Sequence, residues 1–302
     1  MLGLRKIIPA DPNVPFMDYR KIFMLFSIVL ILVSISLLFF KGLNLGIDFK
    51  GGTLIEINTK NSNISDLRQI LSPKFSDVSL QEFGNSNTIL IRLQNETNKE
   101  SIQTINEVKN LINDYVSEFR RAEFVGPTIS TELLWKGLQA ISLALIAILF
   151  YIWLRFEWQF GFGAVVALAH DVIFTLGFLS LLNVEFSLSS IAAILTIAGY
   201  SINDSVVIFD RIRENLRRYK KLNLSELFNV SINNTLSRTI MTSITTLIAL
   251  FCLYIFGGEV IKPFAIAMIV GVIIGTYSSI YVAVPTLLIF KFRPQDDDNK
   301  LI

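Results

Sequence analysis

The chain reads as a polytopic α-helical membrane protein of six transmembrane helices, with one α+β ferredoxin-like (βαββαβ) domain between helices one and two. Three observations predict this. Of 302 residues, 52% are hydrophobic and only 17% charged, with a mean hydropathy of +0.54. A soluble domain carries about 25% charged residues, so long segments here have lipid as their solvent. Six apolar runs approach or exceed the roughly 20 residues that a bilayer-spanning helix needs. One polar stretch, 41–135, alternates strand and helix patterns between the first two runs. A simple cytosolic enzyme is excluded. A formal charge of +2 offers no bulk basicity for nucleic acid. The single Cys252 cannot close an intramolecular disulfide, and the single His170 cannot build a zinc site. The sequence contains no Gly-x-x-x-x-Gly-Lys-Ser/Thr loop for a nucleotide.

In chain order, residues 1–21 form a polar N-terminal segment, and Ile22–Phe40 is span one. That run exceeds a signal peptide's apolar region and no Ala-x-Ala follows, so it is expected to be an uncleaved anchor. In the insert, Thr53–Asn58 alternates as a half-buried strand does, and Ile64, Leu67, Ile70 and Leu71 share a helical face. Val78–Phe83 and Thr88–Leu93 read as strands around a Gly84–Asn87 turn. Thr97-x-x-Glu100 is a capping-box pattern. It opens a helix expected to run through Ile102, Ile105, Val108, Ile112, Tyr115, Val116 and Phe119. Ala122–Val125 is the last strand, before Gly126-Pro127. The insert holds no ligand cluster or acid–base set, so it reads as a binding or lever module.

The remaining spans are expected at Leu138–Leu154, Phe160–Leu182, Ser187–Phe209, Thr239–Phe256 and Phe264–Phe290. Residues 210–238 form a basic loop, with a short interfacial helix over Leu222–Leu236, and 291–302 form a tail. Gly271, Gly275 and Ser279 recur every fourth residue, a spacing that permits close helix approach. With the N-terminus inside, fifteen Lys and Arg fall on inner segments, against Lys262 alone in the two short outer loops. Both termini are therefore cytoplasmic and 41–135 lies outside.

Ionisable groups inside spans carry the functional signal, because a charge at a helix centre costs about 2.5–3.5 kcal/mol on insertion scales. Span three holds His170-Asp171. Span four holds Asn203-Asp204 after Tyr200-Ser201, with Asp210 near the inner surface. Span five opens on Asn233-Asn234-Thr235 and Arg238. Asp204 and Arg238 fall at comparable depth on antiparallel spans. A buried carboxylate without a partner tends to take a proton, and one facing arginine stays ionised. Asp204 with Arg238 therefore fits a proton relay. A permanent ion pair joining spans four and five fits the same spacing. His170, Asp171, Asn203 and Asp210 are accessory polar candidates; for His170-Asp171 the residues alone favour a hydrogen-bonding, structural role over direct proton transfer.

Gly46-Ile47-Asp48-Phe49-Lys50-Gly51-Gly52-Thr53 after span one resembles the SecD/SecF family motif. Phe124-Val125-Gly126-Pro127, His170-Asp171-Val172 and Ala198–Ser205 running into Phe209–Asn215 resemble it in order. Leu236-Ser237-Arg238-Thr239 and Phe256-Gly257-Gly258-Glu259 continue the likeness. It extends from about Pro15 to Phe292, with the short insert and single set of six spans that separate one family member from SecD. The resemblance implies half of a twelve-helix bundle of the resistance–nodulation–division superfamily, completed by SecD in the bacterial inner membrane. It implies work beside the SecY/SecE/SecG channel and the SecA ATPase on an unfolded preprotein outside. It also implies no cofactor, the transmembrane proton gradient as energy source, and Asp204 as proton carrier with Arg238 as its charge partner. Two other readings are a small-solute exporter half, which usually has a second insert, and a non-transporting assembly factor. No enzymatic activity and no nucleic acid are expected.

Overall fold

The computed structural model describes residues 12–60, 64–75, 78–82, 87–93, 101–258 and 260–290. Among the described residues, six helical spans are long and apolar enough to cross a membrane. They are α1 (Arg20–Phe40), α5 (Pro127–Arg155), α6 (Trp158–Leu181), α7 (Leu188–Arg218), α8 (Leu224–Phe256) and the run α9 (Lys262–Ser278) through α10 (Val284–Ile289). A π-helical turn, Ser279–Ala283, joins α9 to α10. Pro285 explains it: proline has no N–H for the carbonyl one turn earlier, and the freed backbone relaxes into a wider turn.

The chain divides into two units. One comprises residues 1–43, 141–184 and 189–302 and holds most of the membrane helices. Its core gathers Met17, Phe160, Phe209, Phe228, Ile232 and Ala283, all fully buried or nearly so. Lipid is as apolar as leucine, so helix association rests on packing and on small residues at the contacts. Gly271 shows this: a Cβ there would collide with the side chain of Ile197 on α7, and one at Gly275 would stand 3.2 Å from Ser201 Cβ. The small-residue spacing thus brings α9 against the polar stretch of α7.

Two expectations about this unit change. Residues 210–238 are not a loop. Helix α7 continues to Arg218, a turn spans 219–223, and Asn223 Oδ1 accepts from Ser225 N at 3.1 Å to cap α8. The stretch read as a separate interfacial helix is the beginning of α8. Polar residues beyond an apolar span still pair within helices, as Arg211 and Glu214 do at 2.8 Å, so hydropathy alone does not mark where a helix ends.

The second unit comprises 44–140 and 185–188. It contains β1 (Asn44–Leu45), α2 (Ile47–Lys50), β2 (Gly52–Thr59), α3 (Ile64–Leu71), β3 (Val78–Glu82), β4 (Thr88–Leu93), α4 (Ser101–Ile112), β5 (Val116–Val125) and β6 (Glu185–Phe186). From β2 to β5 the order is β-α-β-β-α-β. The four-stranded sheet runs β3-β4-β2-β5 with every neighbour antiparallel. Strand alternation puts Ile55, Ile57, Ile89 and Ile91 on the face that meets Leu67, Leu71, Val108 and Ile112 of α3 and α4. Truncating one of these to alanine costs about 2–5 kcal/mol. The opposite face packs Leu54 and Leu90 under Ile47 of α2.

The expected helix through Phe119 ends at Ile112, and Val116 begins a ten-residue strand. Val116 and Phe119 do face the core, but from β5. Register shifts in its pairing with β2, at Glu56/Ile57 and Asn58/Thr59, reproduce a spacing that mimics a helical face. The Thr97-x-x-Glu100 box and most of the Gly84–Asn87 turn lie outside the described residues.

Candidate functional site

The site is built on the inward faces of α6, α7 and α9. Asp171, on α6, is completely buried. Its Oδ1 lies 2.9 Å from Nδ1 of His170. Its Oδ2 accepts two hydroxyls, from Ser201 on α7 at 2.5 Å and from Ser278 on α9 at 2.7 Å. Thr175 donates to the Asp171 carbonyl at 2.8 Å, one turn along α6. One carboxylate therefore ties three spans together. Gly275 eases the approach of α9 to α7 at this point, since a Cβ there would stand 3.2 Å from Ser201 Cβ, tighter than an ordinary contact.

His170 is buried beside Asp171. Its ring centre lies 6.2 Å from that of Tyr277, and its Nε2 has no partner among the described residues. The Tyr277 hydroxyl donates to the Phe23 carbonyl at 2.7 Å, which makes Ser27, at 2.8 Å, the donor to Tyr277. These contacts anchor α1 to α9.

Asp204 lies one helical turn beyond Ser201 on α7, so both project from the same side of that helix. Its side chain is buried at 3% exposure, and its Oδ2 has no hydrogen-bond partner among the described residues. The Tyr200 hydroxyl and Thr239 Oγ1 are buried without partners in the same sense. An unsatisfied buried polar group costs about 1–3 kcal/mol, more when charged. Arg238 stands on the exposed face of α8, and its charge acts on Asp204. Among the described residues no ion pair joins the two.

The other expected members separate from this centre. Asn203 lies on the exposed side of α7. Asp210 meets Arg155 Nη2 through both oxygens, at 2.8 and 3.0 Å, in a pair that is almost half exposed. Ser278, Thr175 and Tyr277 are absent from the sequence reading, and Ser278 is the one that bonds the Asp171 carboxyl. Its signal was a Ser278-Ser279 pair in an apolar helix, of which only Ser279 was noted, within the small-residue stripe. Asn233 has a role that was not foreseen: its amide both donates to and accepts from the backbone of Val14 at 3.0 Å. With Asn229 Oδ1 accepting from Met17 N at 2.8 Å, it fastens the segment before α1 to α8.

The sequence matches the family model described as "Protein export membrane protein SecD/SecF, C-terminal" over residues 98–293, and the SecD/SecF GG motif over 36–62. Protein translocase subunit SecF of Rickettsia rickettsii (strain Sheila Smith) is 44% identical over 293 residues, covering 95% of each chain. The crystal structure of SecDF, a translocon-associated membrane protein from Thermus thermophilus, matches with a TM-score of 0.86 at 38% identity, over 93% of this chain. A crystal structure of SecDF in a super-membrane-facing form matches with a TM-score of 0.70 at 37% identity. The chain spans 39% of the length of each of these two solved chains. With a family model matched over most of its length and a relative this similar across both chains, the chain belongs to the SecD/SecF family of protein export membrane proteins.

Proposed function

We propose that this chain is the SecF-like partner of SecD and couples inward proton flow to late preprotein export across the bacterial inner membrane. The observation that carries the reading is Asp204: a buried carboxyl with one oxygen unpartnered, acted on by Arg238 but not locked to it. A permanent pair would hold its proton state fixed. A carboxyl that can gain or lose the influence of a nearby guanidinium changes its proton affinity as the helices move. Ser201, one turn away, bonds to Asp171, so a change at Asp204 has a short path to the knot that holds α6, α7 and α9. One proton crossing 100 mV releases about 2.3 kcal/mol, and a few would bias a two-state domain strongly.

SecD enters for a physical reason as well as by family. Asn203 and Arg238 are exposed on membrane helices, and in lipid such groups require a protein or aqueous partner. SecD supplies that surface in the complex we propose. SecY/SecE/SecG and SecA supply the channel and the earlier ATP-driven phase, with both termini of this chain cytoplasmic and 41–135 periplasmic. The proton gradient replaces any cofactor, and the chain is not an enzyme.

The test is export of a radiolabelled preprotein into inverted vesicles holding SecD with this chain or its Asp204→Asn variant, with and without a proton gradient. Loss of the gradient-dependent phase alone, with SecD still bound, supports coupling through Asp204. Equal behaviour of the two chains sinks it. One observation favours a second reading, a non-transporting assembly factor: Asp171 is fully satisfied and acts as a structural knot. That reading gives the equal-behaviour outcome.

A further inference from the structure

Although β6 connects two membrane helices, it is a strand of the α+β unit. It pairs in parallel with β1, Asn44 beside Glu185 and Leu45 beside Phe186. Gly46 N donates to the Phe186 carbonyl at 2.8 Å. A Cβ on Gly46 would stand 2.6 Å from Glu185 Oε1, so the Glu185 side chain lies directly over Gly46. Arg92, from the interior strand β4, reaches Glu185 at 2.5 Å and Asn44 Oδ1 at 3.3 Å, in an ion pair exposed by less than a fifth on either side. The Phe186 ring lies 5.8 Å from that of Phe49. Asp48 Oδ2 accepts from Leu188 N at 2.9 Å, so a residue of α2 caps the first turn of α7.

These contacts exceed what a turn between two helices needs. A connection of two to eight residues closes an antiparallel helix pair without help. Here the connection is held by backbone bonds, a largely buried ion pair, an aromatic contact and a distant cap. A mostly buried pair is costly to break, because either charge left alone is desolvated. From Leu188, α7 runs without interruption to Asp204, about 24 Å along the axis at 1.5 Å per residue.

We propose that this clasp transmits the proton-driven stroke. Arg92 and Asp48 act as positioning residues that hold the start of α7 to the segment 44–52, so a shift of α7 is delivered to the α+β unit through the chain. The inference rests on the coupling reading above. It requires the clasp to stay closed throughout the cycle.

The experiment uses the full chain with SecD in inverted vesicles, comparing Arg92→Glu, Glu185→Arg, the double reversal and Asp204→Asn. Each single reversal is expected to lower gradient-stimulated export by about tenfold, a usual size for site-to-site coupling. Gradient-independent export and co-purification with SecD are expected to persist, and the double reversal to restore stimulation. If both single reversals keep full stimulation while Asp204→Asn abolishes it, transmission through the clasp is wrong and the proton reading stands. If Asp204→Asn keeps full stimulation, the proton reading fails and takes the clasp with it. A second measurement covers misfolding of the reversals: Leu45→Cys with Phe186→Cys in a Cys252→Ser chain, before and after oxidation. Stimulation is expected to survive the cross-link. Loss on oxidation with recovery on reduction means that the clasp opens in the cycle, which overturns the proposal.

Discussion

Ser201 donates to Asp171 across 2.5 Å, and one turn further along α7 Asp204 is buried with an unpartnered oxygen. Two carboxyl groups in one membrane core thus have opposite surroundings. Asp171 has a donor for each oxygen from three helices, whereas Asp204 has a charge nearby and no hydrogen bond among the described residues. The first arrangement suits a fixed group and the second a changing one.

Stability measurements separate the two. Asp204→Asn is expected to leave the SecD complex as stable as the parent or more so, since an unpaired buried carboxylate is replaced by a neutral amide of the same shape. Thermal unfolding of the detergent-solubilised complex is the check, and a fall of more than a few degrees argues that Asp204 has a static partner.

Asp171→Ala is expected to be severe. It leaves the hydroxyls of Ser201 and Ser278 and the imidazole of His170 without their acceptor, and hydrogen bonds to a charged group contribute about 1.5–3 kcal/mol each. Ser278→Ala removes one donor and is expected to cost about 1–2 kcal/mol. Arg155→Ala, at a half-exposed pair, is expected to change stability by less than about 1 kcal/mol. The order Asp171→Ala, Ser278→Ala, Arg155→Ala is what the unfolding series checks.

Legibility in the sequence followed the range of the interaction. Six spans and the strand–helix alternation were readable because each rests on a local pattern, an apolar run or a period of two. Asp171 and Asp204 stood out because ionisable groups are expensive in such runs. Their difference in surroundings was not readable, since it depends on Ser278, distant in sequence from both, and on the side of α8 that carries Arg238. Val116 and Phe119 misled because a register-shifted strand and a helix place apolar residues alike. The β1–β6 pair has no local signature: two dipeptides about 140 positions apart gain strand geometry only from each other. Asn233 looked like part of a polar helix start, and nothing near it shows that its amide fits the backbone of Val14.

The N-terminal fastening gives a direct prediction. Asn233→Ala removes both bonds to Val14, and Asn229→Ala removes the bond to Met17. The double variant is expected to raise amide exchange at residues 14–18 while α8 stays protected, because helical bonds inside α8 are untouched. Hydrogen–deuterium exchange read by mass spectrometry checks this, and equal uptake in parent and variant would show that burial of Phe16 and Met17 holds the segment unaided.

The approach of α9 to α7 leaves little room at Gly271. Gly271 faces Ile197 with no room for a methyl group, so Gly271→Ala must push the helices apart or force Ile197 out of its rotamer, at about 1–3 kcal/mol. Separation would also lengthen the hydrogen bonds that Ser201 and Ser278 make to the shared carboxylate, since Gly275 and Ser278 lie further along the same helix. Gly271→Ala is therefore expected to lower export and stability together, with Ile197→Ala in the same chain recovering part of both by clearing the collision. A double-mutant cycle on thermal stability measures the recovery. Strict additivity would place the cost of Gly271→Ala in α9 itself, and not in its contact with α7.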